Sequence, residues 1–149
     1  MQPGPVPPPT PLLIGRKEYL AFPEWGVRRV RAKVDTGAYT SALDVAACEV
    51  EDTPSGPVAQ LRLALTPRRP EKAKVLRVPV LRFVVVRNSG GVAERRPVVE
   101  ALMRLGPVEK RIRLTVTRRA GMRYRILLGR EALAGDFVVD VRRKYVYPV

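Results

Sequence analysis

Histidine is absent from all 149 residues. That absence removes the Ser-His-Asp triad, the Cys-His pair and every imidazole general base, so the common nucleophilic hydrolases are excluded. Cys48 is the one cysteine, which leaves no zinc set of the usual Cys and His type and no disulfide within the chain. It follows Ala46-Ala47 in a strand-like stretch and reads as a small buried apolar residue without catalytic promise. Neither a Gly-x-x-x-x-Gly-Lys loop nor a Gly-x-Gly-x-x-Gly turn into a helix occurs, so no phosphate cradle exists and ATP is not expected. No metal and no cofactor is expected at all.

Long apolar runs are missing too, as are the charged start and apolar stretch of a secretory signal; no membrane span and a cytoplasmic location are expected. The first eleven residues instead hold six prolines, the composition of a polyproline-like tail. We read residues 1–12 as that flexible tail and 13–149 as a single domain, a size that one core can support.

Acidic residues are scarce, 14 against 28 lysines and arginines, for a net charge of +14. The excess favours an acidic partner such as nucleic acid, a ribosome surface or a glutamate-rich peptide. A chain with one asparagine, two glutamines and one cysteine also fits a heat-adapted composition, in which the arginines spread over solvated faces. Aromatics are few and unclustered, offering no stacking platform for bases. Trp25 reads as core, and Tyr39 suits either core or a pocket wall.

What is present is β pattern. Val30, Ala32 and Val34 alternate with Arg29, Arg31 and Lys33, giving a strand from Val27 to Val34 with one apolar and one basic face. Ser41-Ala42-Leu43 follows as a strand, and Leu61, Leu63 and Leu65 mark another beyond the Asp52 to Pro57 turn cluster. Val75 to Val86 and Val92 to Leu102 flank Asn88-Ser89-Gly90-Gly91, the arrangement of a long hairpin with a glycine tip. Ile112, Leu114 and Val116 alternate with polar residues, and a Gly121 turn leads into Tyr124 to Leu128. A short helix near Arg130 and strands at Phe137 to Val141 and Tyr145 to Tyr147 complete a mostly-β chain, a small closed β-barrel with one short C-terminal helix.

At the end of the first long strand stands Asp35-Thr36-Gly37-Ala38. Two carboxylates in contact share one proton, so one can deprotonate water while the other polarises a carbonyl. The threonine hydroxyl can lock two such loops together, and the glycine leaves its amide open to a carboxylate. The triplet alone is an ordinary turn; an apolar strand before it, a strand after it, a glycine-tipped hairpin and a final apolar run into Gly129-Arg130 make it chemistry. No second Asp-Ser/Thr-Gly exists, and Asp44, Asp136 and Asp140 sit at strand ends or turns, so the partner carboxylate must come from a second copy in a homodimer. Such a pair gives an activity profile that falls on both sides of an optimum.

This order of features, from about residue 13 to 149, resembles the retropepsins, which carry Asp-Thr-Gly-Ala, a glycine-rich flap and an apolar-apolar-Gly-Arg helix start in that sequence. Closer still is a bacterial and archaeal branch with stretches like Ala32 to Ala38, Thr40 to Leu43, Ser89 to Gly91, Glu94 to Arg96 and Leu127 to Arg130. That branch, long labelled an ATP-dependent zinc protease, neighbours an ATP-grasp ligase that adds glutamates to a ribosomal protein; the residues here support retropepsin chemistry and not the label. The resemblance implies Asp35 as the catalytic carboxylate with Thr36, Gly37 and Ala38 as its loop. It implies Asn88, Ser89, Gly90 and Gly91 as the flap tip, and Gly129 and Arg130 as a structural start to the helix. Two departures stand out: Glu49 to Lys74 is longer than the corresponding viral segment, and a proline tail replaces the usual amino-terminal interface strand.

Paired arginines at 28–29, 68–69, 95–96, 118–119 and 142–143 read either as a cleft lining or as solvated surface. Arg95 and Arg96 on the returning flap strand would favour an acidic substrate, such as a glutamate-modified ribosomal protein. Nucleic acid is not required. The competing reading is a non-enzymatic basic barrel that binds ribosome or RNA, with Asp35-Thr36-Gly37 as a structural turn.

Overall fold

A computed structural model describes residues 10–65, 73–87, 89–118 and 123–148. The proline tail through Pro9, the connection from Thr66 with Arg68 and Arg69, Asn88 of the hairpin tip, and Arg119 with the Gly121 turn lie outside the described residues.

Twelve strands are described: β1 (Leu12–Ile14), β2 (Lys17–Phe22), β3 (Val27–Val34), β4 (Ser41–Asp44), β5 (Ala47–Thr53), β6 (Gly56–Leu63), β7 (Lys74–Pro79), β8 (Arg82–Arg87), β9 (Ala93–Leu105), β10 (Val108–Thr117), β11 (Ile126–Leu128) and β12 (Phe137–Val139). One helix, α1 (Arg130–Leu133), separates the last two, and a single 3-10 turn at Pro23–Trp25 precedes β3. Strands β10, β4, β11, β3, β2 and β9 follow one another in the main sheet, and β9 pairs back onto β10, which closes the barrel as the alternating pattern requires. Val27, Val30, Ala32 and Val34 of β3 point inward while the arginines and Lys33 between them stay exposed. They join Leu43, Met103, Leu114 and Leu128 in one core. No described helix is long and apolar enough to cross a membrane.

The expected long hairpin strand from Val75 to Val86 is two strands in two sheets. β7 belongs with β5 and β6 in a three-stranded sheet, and β8 pairs with β9. The switch falls at Pro79, which has no N–H to continue a ladder; Val80 N then donates to Pro57 O and Leu81 N to Val98 O. Tyr145 to Tyr147 is not a strand either. Val146 N and Tyr147 N donate to the carboxylate of Glu18, a fully buried side chain of β2, at 3.1 and 3.2 Å. A side chain has taken the place of a strand partner, and Tyr145, with φ 51°, turns the chain so that its ring stacks on Tyr19. The first described strand, β1, pairs in parallel with β12, and its Leu12 lies within the span expected as tail. Trp25 is half-buried, stacked on Phe22. Cys48 is only partly buried, and burial pushes its thiol pKa up.

Candidate active site

The parallel pairing of β11 with β3 sets Leu128 beside Val34. The two strands therefore end together, and the segments leaving them are forced into contact. Asp35 N donates to Leu128 O at 2.8 Å, Arg130 N to Ala38 O at 2.9 Å and Glu131 N to Tyr39 O at 2.9 Å. The first N–H groups of α1, which lack partners inside the helix, are thus spent on the carbonyls of the Asp35 loop. The Arg130 guanidinium adds a bond from Nη1 to Thr36 O at 2.8 Å. Gly129 sits where a Cβ would lie 2.4 Å from Thr40 O and 2.6 Å from Tyr39 O. Its N–H donates to the buried hydroxyl of Ser41 at 3.0 Å.

Within the loop, Gly37 N donates to Asp35 Oδ1 at 3.1 Å, and a Cβ there would crowd that oxygen at 3.3 Å. Ala38 N donates to Asp35 O. Asp35 is half-buried, Thr36 and Gly37 are exposed, and Tyr39 projects outward beside the Arg130 guanidinium.

A cleft of about 380 Å3 opens above Asp35. It is lined by Asp35 and Ala38, by Arg82, Val84 and Val86 of β8, by Arg96 of β9, and by Thr115 and Thr117 of β10. The β8–β9 hairpin bears the glycine tip, where Ser89, Gly90 and Gly91 are exposed, Gly91 has φ 79°, and Arg87 Nη1 donates to Gly91 O. The paired arginines on the hairpin part company. Arg96 faces the cleft, whereas Arg95 points to the opposite face, its guanidinium 3.7 Å from the centre of the Phe83 ring. Arg95 lines instead a second cavity of about 450 Å3 with Cys48 and Arg118, and Arg96 walls both.

The remaining aspartates singled out by the sequence are committed elsewhere. Asp44 is buried against Arg125 at 2.6 Å, Asp136 bonds Lys110 at 2.6 Å, and Asp140 bonds Arg142 at 3.0 Å. Among the described residues lining the cleft, Asp35 is the one carboxylate. Sequence reasoning missed Ser41, Arg82, Thr115 and Thr117; the strand period marks Thr115 and Thr117 as same-face neighbours, but nothing local says which face meets Asp35.

Residues 13–148 match the RimB-like family, described as retropepsin-like aspartic endopeptidase RimB. A probable alpha-L-glutamate ligase of Parasynechococcus marenigrum is 34% identical over 131 residues, 87% of this chain and 28% of that protein. One from Desulfotalea psychrophila is 32% identical over 130 residues, 86% of this chain and 28% of its own length. The chain thus spans little more than a quarter of these relatives. A crystal structure of a Legionella pneumophila protein of unknown function superposes with a TM-score of 0.76 at 21% identity, covering 92% of this chain and 98% of the other, and shares the fold. With a strand-end Asp-Thr-Gly-Ala braced by a Gly-Arg helix start beneath a glycine-tipped hairpin, and a match over nearly its whole length, the chain belongs to the RimB-like family of retropepsin-like aspartic endopeptidases.

Proposed function

We propose that this chain is an aspartic endopeptidase that works as a homodimer, with Asp35 of each copy meeting across a two-fold axis. One observation carries the reading: Asp35 is the single carboxylate lining the cleft among the described residues. Alone it cannot both accept the proton of a water and donate one to a carbonyl oxygen. Paired, the ionised Asp35 takes the proton while the protonated one hydrogen-bonds the carbonyl oxygen, and the proton then passes to the leaving nitrogen. The exposed Thr36 is free to lock loop to loop, and the hairpin tip closes over the bound chain.

The terminal sheet supports the dimer. Leu13 and Val138 are register partners on β1 and β12 and both stand exposed, with Val141 exposed beyond them, a small apolar face suited to a second copy. Arg82 and Arg96 in the cleft favour acidic peptides by charge pairing. The occurrence of this domain within longer chains named as glutamate ligases supports glutamate-tailed protein, including a ribosomal protein so modified, as the first substrate to try.

The test is mass-spectrometric cleavage of a peptide mixture containing glutamate tails, by wild type and Asp35→Asn, with and without chelator, alongside sedimentation. Chelator-resistant cleavage lost in Asp35→Asn and confined to the dimer supports the reading; a fully active monomer overturns it. Retained RNA or ribosome binding without any cleavage would favour the alternative, a basic barrel drawing on the net charge of +14.

A further inference from the structure

Arg96 is a buried cation whose hydrogen-bonding is half made. The residue is 8% exposed, and its one carboxylate partner among the described residues is Glu94, two residues along the same strand, 3.0 Å from Nη2. Nε lies on the same edge of the guanidinium as Nη2, the edge that a carboxylate closes with two parallel bonds. That Nε makes no hydrogen bond among the described residues, and neither does the hydroxyl of Thr117, 4% exposed and also lining the cleft. Buried donors are rarely left without an acceptor, so a ligand group or a water must meet these two.

Resting on the peptidase reading of the cleft, we infer that Arg96 and Thr117 form a subsite for a substrate carboxylate beside the scissile bond, and that Glu94 is a built-in competitor which this carboxylate displaces. The asymmetry of exposure supports the exchange: the Glu94 side chain is 47% exposed and can swing into solvent, whereas that of Arg96, 10% exposed, stays. An incoming glutamate offers two acceptors to Nε and Nη2, and Thr117 can donate to the same group. A glutamine offers one acceptor and turns an NH2 donor toward a donor. Arg96 is therefore a specificity-determining residue that separates glutamate from glutamine, and Arg95, on the opposite face, is not.

The test uses peptides identical except for Glu or Gln at the positions flanking the cleaved bond, with wild type, Arg96→Met, Thr117→Val and Glu94→Gln. Wild type should prefer Glu; Arg96→Met should cut the Glu:Gln ratio of kcat/KM at least tenfold and Thr117→Val several-fold. Glu94→Gln should lower KM for the Glu peptide, the opposite of what losing a merely structural ion pair would do. An unchanged ratio in Arg96→Met, or a raised KM with unchanged selectivity in Glu94→Gln, overturns the subsite. Should Arg96→Met fail to fold, Thr117→Val and Glu94→Gln decide. The same peptides are titrated onto Asp35→Asn protein by fluorescence anisotropy. Glu-selective binding lost with Thr117→Val, together with cleavage indifferent to Asp35, keeps the subsite and overturns the peptidase reading; Asp35-dependent cleavage without Glu preference does the reverse.

Discussion

Arg130 donates from Nη1 to the carbonyl of Thr36 at 2.8 Å, joining residues 94 positions apart in the chain. The bond is one of three from the start of α1 to the loop, the others running from the Arg130 and Glu131 amides to Ala38 O and Tyr39 O. The loop that carries Asp35 is thereby clamped by a second segment instead of relying on its own turn, and pre-set geometry of this kind is what a reacting carboxylate needs.

Arg130→Ala should remove the side-chain arm of the clamp while leaving the barrel intact, because the side chain is exposed and the two amide bonds remain. We expect kcat/KM to fall by about ten- to a hundredfold, about 1.4–2.7 kcal/mol of barrier, with thermal stability nearly unchanged. Arg130→Lys keeps one donor for that single bond and should rescue part of the loss. A full-activity Arg130→Ala enzyme in peptide kinetics would show that the clamp is idle.

The two glycines of the site should fail in different ways. Gly129→Ala drives a Cβ to 2.4 Å from Thr40 O, a backbone atom that cannot step aside, so a loss of about 3 kcal/mol or more of stability is expected in urea unfolding. Gly37→Ala places its methyl 3.3 Å from Asp35 Oδ1, a contact that relaxes cheaply. It should stay folded and lose activity, and equal unfolding midpoints for the two variants would contradict the assignment.

The barrel and the Asp35 loop were legible because both are written locally. Inward Val30, Ala32 and Val34 name a strand by period, and Asp35-Thr36-Gly37 ends it. The break at Pro79 could be suspected from its missing N–H, but the partner exchange at Val80 and Leu81 depends on where Pro57 and Val98 arrive, which no local pattern encodes. Tyr145 to Tyr147 alternates like a strand, yet the amides of Val146 and Tyr147 are claimed by Glu18, 128 residues from Val146. Arg95 and Arg96 read as a pair, and the strand pleat that sends them to opposite faces is legible; which face sees Asp35 is not.

Glu18 should be a stability residue of the first rank. Its buried carboxylate accepts from Gly15 N, Val146 N and Tyr147 N, so Glu18→Ala orphans three amides at once. A loss of about 3 kcal/mol is expected, with amide exchange at Val146 and Tyr147 accelerated more than in the barrel strands. Glu18→Gln should recover part of it, having one acceptor oxygen in place of two. Uniform exchange across the molecule would mean that the clamp is not local.

Acid stability should report the turn after β12. The Arg142 side-chain bond, then its amide, hold the Asp140 carboxyl down from 3.8 to about 2. The folded chain thus favours the ionised form more than the unfolded chain does. Its stabilisation is complete above about pH 4 and is lost as pH falls toward about 2. Glu24, lowered by its two bonds to Arg111, acts in the same direction. Urea midpoints measured from about pH 5 down to about pH 2 should fall for wild type, and the fall should be shallower for Asp140→Asn and shallower again with Glu24→Gln added. Parallel curves for wild type and Asp140→Asn would place the acid sensitivity in other carboxylates, because removing a group whose proton affinity changes on folding must change the slope.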